Sequence, residues 1–295
     1  MLVKHPMELR RRTVLISMAG LACSAAACRS GARARTAAVP QRLVSLTPNM
    51  TEAVFAIGAG GRLVARSRYC DYPPEVKRLP SVGGYVDPSF EAILAARPDL
   101  VIGARGPGGR AIVDRLEQRG IQTWFPETET IAQIEAMIEG LADRIGMHDD
   151  GVRVADALRV RLSRLDDRLS SVPRPRALLV FGLAPIVVAG PGGFPDEMMR
   201  RAGMTNVIGQ GTRYPTINVE TVLSLDPDLV IDAAMAEGGD TSRIQAAAPG
   251  WSAVRAVREG KVATVRDDSV LRPGPRVAEG VARLASIAHP EVTGL

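Results

Sequence analysis

The chain has 295 residues, of which 46% are hydrophobic and 23% charged, a balance typical of a globular protein with one large or two medium domains. The formal net charge is +5, but residues 1–27 hold four basic residues against one acidic, so the rest of the chain carries only +2. The charge therefore gives little support for a nucleic-acid partner. Three histidines argue against a site for bare zinc or manganese.

Residues 1–28 have the organisation of an export signal. Arg10–Arg12 precede an uncharged apolar run over Val14–Ala27, which is shorter than the about 20 residues needed to span a bilayer. The arginines resemble the twin-arginine signature of the Tat route. Cys28 follows three alanines, as in a bacterial lipobox, although Ala25 stands where leucine is usual. We expect lipidation at Cys28, with cleavage nearby by an ordinary signal peptidase as the alternative, and residues 29–41 as a flexible linker.

Beyond the linker, apolar β-prone runs alternate with helical patterns, which predicts parallel sheets covered by helices on both faces. The predicted strands include Arg42–Thr47, Gln122–Pro126, Arg176–Gly182 and Lys261–Val265. The predicted helices are one that begins after Pro48 and those over Gly109–Arg119, Thr130–Ile145 and Pro195–Ala202.

One segment occurs twice. Phe90–Ile102 and Val219–Ile231 each predict a short helix, a Pro-Asp turn and a buried strand. They share seven identities: Glu91/Glu220, Leu94/Leu223, Pro98/Pro227, Asp99/Asp228, Leu100/Leu229, Val101/Val230 and Ile102/Ile231. The period of 129 residues is too long for a solenoid. The repeat therefore predicts two related α/β lobes, over residues 42–146 and 173–290.

A single long helix is predicted between the lobes, over residues 147–172, and we call it the spine. An apolar stripe recurs at steps of three and four, through Val154, Leu158, Leu162, Leu165 and Leu169. About 22 residues at 1.5 Å each make a rod of about 33 Å, the length of a small domain. The predicted fold is thus α/β, with two Rossmann-like lobes that contain parallel sheets and are joined by one long interlobe helix.

A family resemblance covers roughly residues 41–290. The segments "RLVSLTPNMTEAVFAIGAGGRLVA", "YCDYPPEVKRLPSVGGYVDPSFEAILAARPDLVI" and "GPRVAEGVARL", together with the second repeat, are similar to the helical-backbone (class III) substrate-binding proteins of ABC importers. These proteins carry cobalamin, haem or ferric siderophores. Within the family, the segments resemble the cobalamin-binding members most. The resemblance implies a receptor that takes its ligand between two lobes.

The resemblance also implies ligand-binding residues. The Tyr-Pro-Pro segment transfers a corrin-contacting tyrosine to Tyr69, and Tyr85 and Tyr214 stand before the two repeat helices, where the family member has tryptophans. An Asp and an Arg four residues apart correspond to Asp268 and Arg272. Tyrosine suits a flat macrocycle edged with amides or carboxylates, because it offers an apolar face and a hydroxyl.

Three further positions complete the expected functional surface. Arg105 could bind an anionic group, although Ala104 replaces the tryptophan that precedes the Arg-Gly pair in the family member. The resemblance implies that Glu91 and Glu220 dock into arginine pockets of the two permease subunits. The alternative is that both are ordinary helix-forming residues near a helix start.

Several ligands and classes of function remain open at this point. Cobalamin is the first expectation, haem the second, since a tyrosine phenolate can bind ferric iron, and a ferric siderophore the third. The tyrosines available for haem are Tyr69, Tyr72, Tyr85 and Tyr214. An enzyme is less favoured, because none of the histidines lies in a segment assigned to the cleft; these are His5, His148 and His289. We expect no resident cofactor, metal or nucleic acid, an ABC permease dimer with its ATPase subunits as partner, and an extracytoplasmic protein attached to the membrane only by a lipid anchor.

Overall fold

The structure is a computed structural model, and it describes residues 39–105, 109–234, 244–245 and 248–294. The predicted export signal and Cys28 lie outside the described residues. In the first lobe the strands are β1 (Leu43–Ser45), β2 (Leu63–Arg66), β3 (Leu100–Ile102) and β4 (Gln122–Trp124). Its helices are α1 (Pro48–Ala56), α2 (Phe90–Ala95), α3 (Gly109–Glu117) and α4 (Ile131–Arg144).

Helix α5 (His148–Leu169) is the spine, 22 residues long. The second lobe contains β5 (Arg176–Leu183), β6 (Ile186–Val188), β7 (Thr205–Asn206), β8 (Thr216–Ile217), β9 (Leu229–Asp232) and β10 (Val262–Thr264). Its helices are α6 (Phe194–Arg201), α7 (Val219–Leu225), α8 (Arg255–Arg258), α9 (Asp268–Leu271) and α10 (Val277–Ala288). Short 3₁₀ turns lie at Gly60–Arg62, Pro74–Arg78 and Trp251–Ala253.

The two sheets differ in strand direction. The first has the order β2-β1-β3-β4 and is parallel throughout. The second has the order β10-β9-β5-β6-β8, with β7 pairing the start of β5. There β7, β9 and β10 run parallel to their neighbours, whereas β6 is antiparallel to both β5 and β8. No strand is predicted from the sequence at β6, β7 or β8, because a strand of two or three residues has too few positions to show a period.

One hydrophobic core joins both lobes to the spine. Alternate residues of the central strands point to opposite faces, so Leu43 and Leu179 belong to the shared core while Val44 and Leu178 lie in the outer clusters of their own lobes. The spine leucines predicted to form the stripe are all buried there, and Val154 packs at its edge. A Cβ at Gly151 would collide with the Ala142 side chain, so this glycine permits the close packing of α4 on α5. The predicted two-lobed α/β fold with an interlobe helix is confirmed.

The sequence repeat is also a structural repeat. Asp99 accepts hydrogen bonds from the backbone N–H groups of Gln41 and Arg42, at 2.6 and 3.0 Å, and Asp228 accepts one from that of Arg176, at 2.9 Å. The guanidinium of Arg42 donates to the carbonyl oxygen of Ala96, and that of Arg176 to the equivalent oxygen of Leu225, both at 2.8 Å. Each lobe thus ties the end of its repeat helix to the start of its central strand.

Candidate functional site

The loops that follow the parallel strands of both sheets meet in one interlobe cleft. Contacts between the lobes define it. The amide of Asn49 donates to the carbonyl oxygen of Pro273 at 3.2 Å, and the hydroxyl of Tyr214 donates to Glu129 Oε2 at 3.4 Å. The carboxyl edge of parallel sheets is where α/β proteins bind ligands, because helix N-termini and adaptable loops converge there. All six predicted ligand-binding residues lie in segments on this edge.

Tyr214 and Glu129 stand over an apolar cavity of about 330 Å³ between the lobes. The walls of the cavity include Phe181, whose ring centroid is 6.0 Å from that of Tyr214, and Phe194. Burial raises the pKa of Tyr214 to about 12, and the negative charge of Glu129 adds to the effect. The phenol is therefore a neutral donor at physiological pH and presents part of its ring to the cleft.

Tyr85 and Arg105 lie together on the opposite wall, in the first lobe. The Tyr85 hydroxyl donates to the carbonyl oxygen of Ala104 at 3.4 Å, and partial burial raises the pKa of this phenol. Arg105 faces Glu127 at 3.2 Å, with both side chains at least half exposed. Such a solvated ion pair is worth at most about 1 kcal/mol, so the guanidinium can turn to an anionic ligand at low cost.

Tyr69 is the most exposed of the three predicted tyrosines, at 52%. The Arg68 guanidinium lies 5.7 Å from the centroid of its ring and pairs with Asp87. The charged group beside the Tyr69 ring is thus a guanidinium, whereas the one beside the Tyr214 hydroxyl is a carboxylate.

Arg272 does not stand free at the rim as a ligand contact would. Its side chain is only 14% exposed and is held by three carboxylates, those of Asp71 at 2.7 Å, Asp268 at 2.8 Å and Glu52 at 3.3 Å. Glu52 and Asp71 belong to the first lobe and Arg272 to the second, so this cluster links the lobes. Asp268 keeps part of its surface exposed, and burial raises the pKa of its carboxyl.

Glu52 is the centre of this interlobe cluster. Its side chain is 2% exposed, and Arg276 binds it through two hydrogen bonds of 2.7 and 2.9 Å. The sequence analysis did not identify Glu52, Asp71 or Glu129. Glu52 could have been found from its place among Met50, Ala53 and Val54 on α1, since an acid on a buried helical face needs a cationic partner.

The six predicted residues therefore form two groups. Tyr85, Arg105 and Tyr214 surround the segments that follow β3 and β4, where Arg105 N donates to the carbonyl oxygen of Pro126. Asp268 and Arg272 belong to the ion cluster that includes Asp71, and Tyr69 precedes Asp71 by two residues. The first group has exposed aromatic and polar surface for a ligand, whereas Arg272 in the second is committed to ion pairs.

Glu91 and Glu220 lie at matching places outside the cleft. Each is in the first turn of its repeat helix, after the N-cap residues Ser89 and Asn218. The Glu91 side chain is 83% exposed, and its nearest ion-pair partner is the exposed guanidinium of Arg115, at 3.9 Å. Glu220 is also exposed. Because helices in parallel α/β units run opposite to the strands, these helix starts lie on the same edge of the sheets as the cleft.

Within the described ranges, no group of three or more His, Cys, Asp and Glu side chains could hold a metal ion. Of the histidines in these ranges, His148 pairs with Asp143 at the start of the spine and His289 is buried against the carbonyl of Gly203. Cys70 is buried, and burial raises the pKa of its thiol. No helix of the described part of the chain is both long and apolar enough to span a bilayer.

Two α/β lobes, one connecting helix and an interlobe cleft with aromatic walls define the class of helical-backbone solute-binding proteins. The chain belongs to the periplasmic binding protein family, whose sequence profile matches residues 43–269. The family is one of solute-binding proteins.

Relatives and solved structures agree with this assignment. The chain is 27% identical over 241 residues to the vitamin B12-binding protein of Photorhabdus laumondii. The alignment covers 81% of this chain and 85% of that protein. It is similar to the crystal structure of the periplasmic vitamin B12-binding protein of Vibrio cholerae, with 27% identity, a TM-score of 0.74 and coverage of 87% and 99%. It is also similar to a periplasmic haem-binding protein of Pseudomonas aeruginosa, with 31% identity, a TM-score of 0.79 and coverage of 87% and 95%.

Proposed function

We propose that this protein is the receptor of an ABC importer, that it captures a corrinoid such as cobalamin between its lobes, and that it delivers the ligand to the permease. The observation that carries the choice of ligand is the position of Tyr214, whose ring stands beside that of Phe181 over the apolar cavity between the lobes. A ring beside an apolar cavity suits stacking on a macrocycle, and stacking needs no ionised group.

A haem is the second candidate, and a different observation favours it. Tyr69 is half exposed, and a tyrosine phenolate can bind ferric iron. The similarity to the Pseudomonas aeruginosa haem-binding protein points the same way. In this case the iron ligand would be Tyr69, since Tyr214 has its proton held by burial and by Glu129.

Delivery would use Glu91 and Glu220. Of the seven identities between the repeats, the proline, aspartate and strand residues have an internal role in each lobe, as the hydrogen bonds of Asp99 and Asp228 illustrate. The two exposed glutamates have no comparable internal role. Two equivalent carboxylates suit a permease dimer that presents the same basic surface to each lobe.

The protein would act outside the cytoplasm, exported by the signal at residues 1–28 and held at the membrane through a lipid on Cys28. Intact-mass measurement of protein purified from membranes tests this part of the proposal. A mass that matches a chain beginning at an acylated Cys28 supports it. A mass that matches a chain beginning at another residue, with no lipid, refutes the anchor and leaves the ligand proposal unaffected.

The central experiment is a parallel titration of residues 29–295 with cyanocobalamin, hemin and ferrichrome, followed by absorbance and by quenching of intrinsic fluorescence. We expect saturable binding of cyanocobalamin. Replacing both Tyr85 and Tyr214 by Ala should weaken it more than tenfold, or about 1.4 kcal/mol, because both aromatic walls are lost.

Two other results would change the assignment. Tight binding of hemin alone, with a charge-transfer band that disappears in Tyr69→Phe, would replace the corrinoid by haem. Saturable binding of ferrichrome alone would make the cargo a ferric chelate. Absence of binding for all three probes would overturn the proposed ligand class.

A further inference from the structure

A second concavity lies outside the interlobe cleft, where the first lobe, the spine and the start of α10 meet. Its volume is about 450 Å³. All three parts contribute to its wall: Phe55 and Tyr72 come from the first lobe, Val154 and Ala157 from the spine, and Pro275 from the second lobe. The function proposed above uses none of these side chains.

The wall offers apolar side chains that the rest of the described chain covers only in part. Tyr72 is 44% exposed, and the Arg276 guanidinium packs on its ring at 4.0 Å from the centroid. Phe55 is half-buried, and Ala157 is an exposed small residue that leaves the space in front of Val154 open. Covering such a surface with an apolar group is favourable by about 25 cal/mol per Å², so an aromatic or branched aliphatic body fits this concavity.

Positive charge stands at the spine side of the concavity. Its lining includes Arg153 and Arg161, which are eight residues apart on the spine, or about 12 Å. The lining also holds two glutamates, but Glu52 is fully committed to the interlobe cluster with Arg272 and Arg276. Glu75 is therefore the remaining acidic side chain of the lining.

Both arginines can be recruited at low cost. Arg153 pairs with Asp150 at 2.7 Å and Arg161 with Glu279 at 3.2 Å, and all four side chains are at least 40% exposed. Exposed pairs of this kind contribute little to stability. A ligand anion with an apolar body in the concavity can therefore displace either carboxylate from its arginine.

We propose that this concavity is a second binding site, for a small amphipathic anion with a compact aromatic or branched aliphatic body and one carboxylate, sulfonate or phosphate group. The body lies against Tyr72, Phe55 and Val154, and the charged group binds Arg153 or Arg161. Because its walls come from both lobes and the spine, an occupant stabilises the arrangement of the whole chain. The site does not depend on which ligand binds in the cleft.

The test uses 8-anilinonaphthalene-1-sulfonate, a fluorescent anion of this description, titrated into residues 29–295. We expect saturable binding at one site and a rise in the midpoint of thermal unfolding, since the dye binds the folded chain. Ala157→Trp should fill the space and weaken binding at least tenfold. The milder Ala157→Leu should weaken it at least threefold. Val160→Trp is the matched control, because Val160 is exposed on the same helix but outside the lining, and should bind the dye as the wild type does.

Two further comparisons test the chemistry and the location. Arg153→Gln with Arg161→Gln should weaken the sulfonate dye at least fivefold and change the binding of the uncharged N-phenyl-1-naphthylamine less than twofold. Tyr214→Ala should leave dye binding unchanged. The proposal is overturned if no saturable binding occurs, if Val160→Trp weakens binding as much as Ala157→Trp, or if Tyr214→Ala abolishes it, since the dye would then occupy the cleft.

Discussion

Tyr214 has the clearest chemical character of the residues in the cleft, because its partly exposed ring lines an apolar cavity and its hydroxyl donates to Glu129. These two contacts separate the role of the ring from the role of the hydroxyl. The ring faces a prospective ligand, whereas the hydroxyl is already used within the protein. Substitutions that remove one or the other can therefore be told apart by binding measurements.

We predict that Tyr214→Phe keeps affinity for cyanocobalamin within about threefold, because the stacking surface is preserved. Tyr214→Ala should lose more than tenfold, above about 1.4 kcal/mol. Fluorescence titration of the two variants gives the comparison. Equal affinities for Phe and Ala at this position would contradict stacking on Tyr214.

Asp71 and Asp268 bind the same guanidinium but differ in their pKa shifts. Burial opposes ionisation of Asp71, but the hydrogen bond and charge of Arg272 outweigh it and lower the pKa. Burial dominates at Asp268 and raises its pKa. A lowered folded-state pKa means that the carboxylate of Asp71 stabilises the fold above about pH 4, the range of an unfolded aspartate, and that this stability is lost as the pH falls through the lower folded-state value. The raised pKa of Asp268 means the opposite, that its ionised carboxylate destabilises the fold.

We predict that Asp71→Asn lowers the midpoint of thermal unfolding at pH 7, whereas Asp268→Asn leaves it unchanged or raises it. The deficit of Asp71→Asn should shrink as the pH falls below about 4, because the wild-type carboxylate then becomes protonated. Thermal unfolding between pH 3 and pH 7 measures both effects. A deficit for Asp71→Asn that is constant over this range would refute the electrostatic explanation.

At the scale of elements, the repeated helix-turn-strand unit explains most of its own sequence. In each copy a non-glycine residue adopts a positive φ just after the helix, 47° at Arg97 and 41° at Asp226. These two residues hold the same position in the two repeats. Two residues later an aspartate accepts backbone N–H groups at the start of the central strand. These contacts hold the end of the helix against the strand. The glutamates at the other end of the helices take no part in them.

We predict that Glu91→Arg combined with Glu220→Arg leaves the thermal midpoint and cyanocobalamin affinity unchanged and abolishes capture by the purified permease. Charge reversal would place arginines opposite the proposed arginine pockets, and like charges repel. Asp167→Arg with Glu291→Arg is a control of equal charge change at other exposed positions, and it should bind the permease normally. Unchanged capture by the first double variant would remove the docking role.

The two lobes are held together by the spine, the shared core and a buried ion cluster between them. Glu52 is the centre of that cluster, and its carboxylate accepts hydrogen bonds from Arg272 and Arg276 of the other lobe. Removal of one partner from a buried ion pair leaves uncompensated charge in a poorly solvated place, which costs about 3–5 kcal/mol. An exposed pair has no such penalty, because water replaces the lost partner.

We predict that Glu52→Gln lowers the free energy of unfolding by about 3 kcal/mol or more. Glu279→Gln, which removes the exposed partner of Arg161, should cost less than about 1 kcal/mol. Urea unfolding of both variants at pH 7 tests the difference. Similar losses for the two would show that the interlobe cluster adds no more than a surface ion pair.

The candidate site could be predicted from the sequence only in part. The places of Tyr85, Tyr214 and Arg105 on the carboxyl edge follow from their positions after predicted strands or before the repeat helices. Their partners do not follow, because Glu129 lies 85 residues from Tyr214 along the chain. The commitment of Arg272 to three carboxylates was also missed, since its links to Glu52 and Asp71 span 220 and 201 residues.

The sequence by itself determined the longer elements and their arrangement into two lobes and a spine, because helical and strand periodicity, turn residues and an internal repeat are local properties of the chain. The tertiary structure decided the mixed second sheet, the contact of Tyr214 with Glu129, the cluster around Glu52 and the concavity beside Tyr72. Each of these depends on side chains brought together from distant segments, where burial and opposite charge act through space and leave no periodic mark on the sequence.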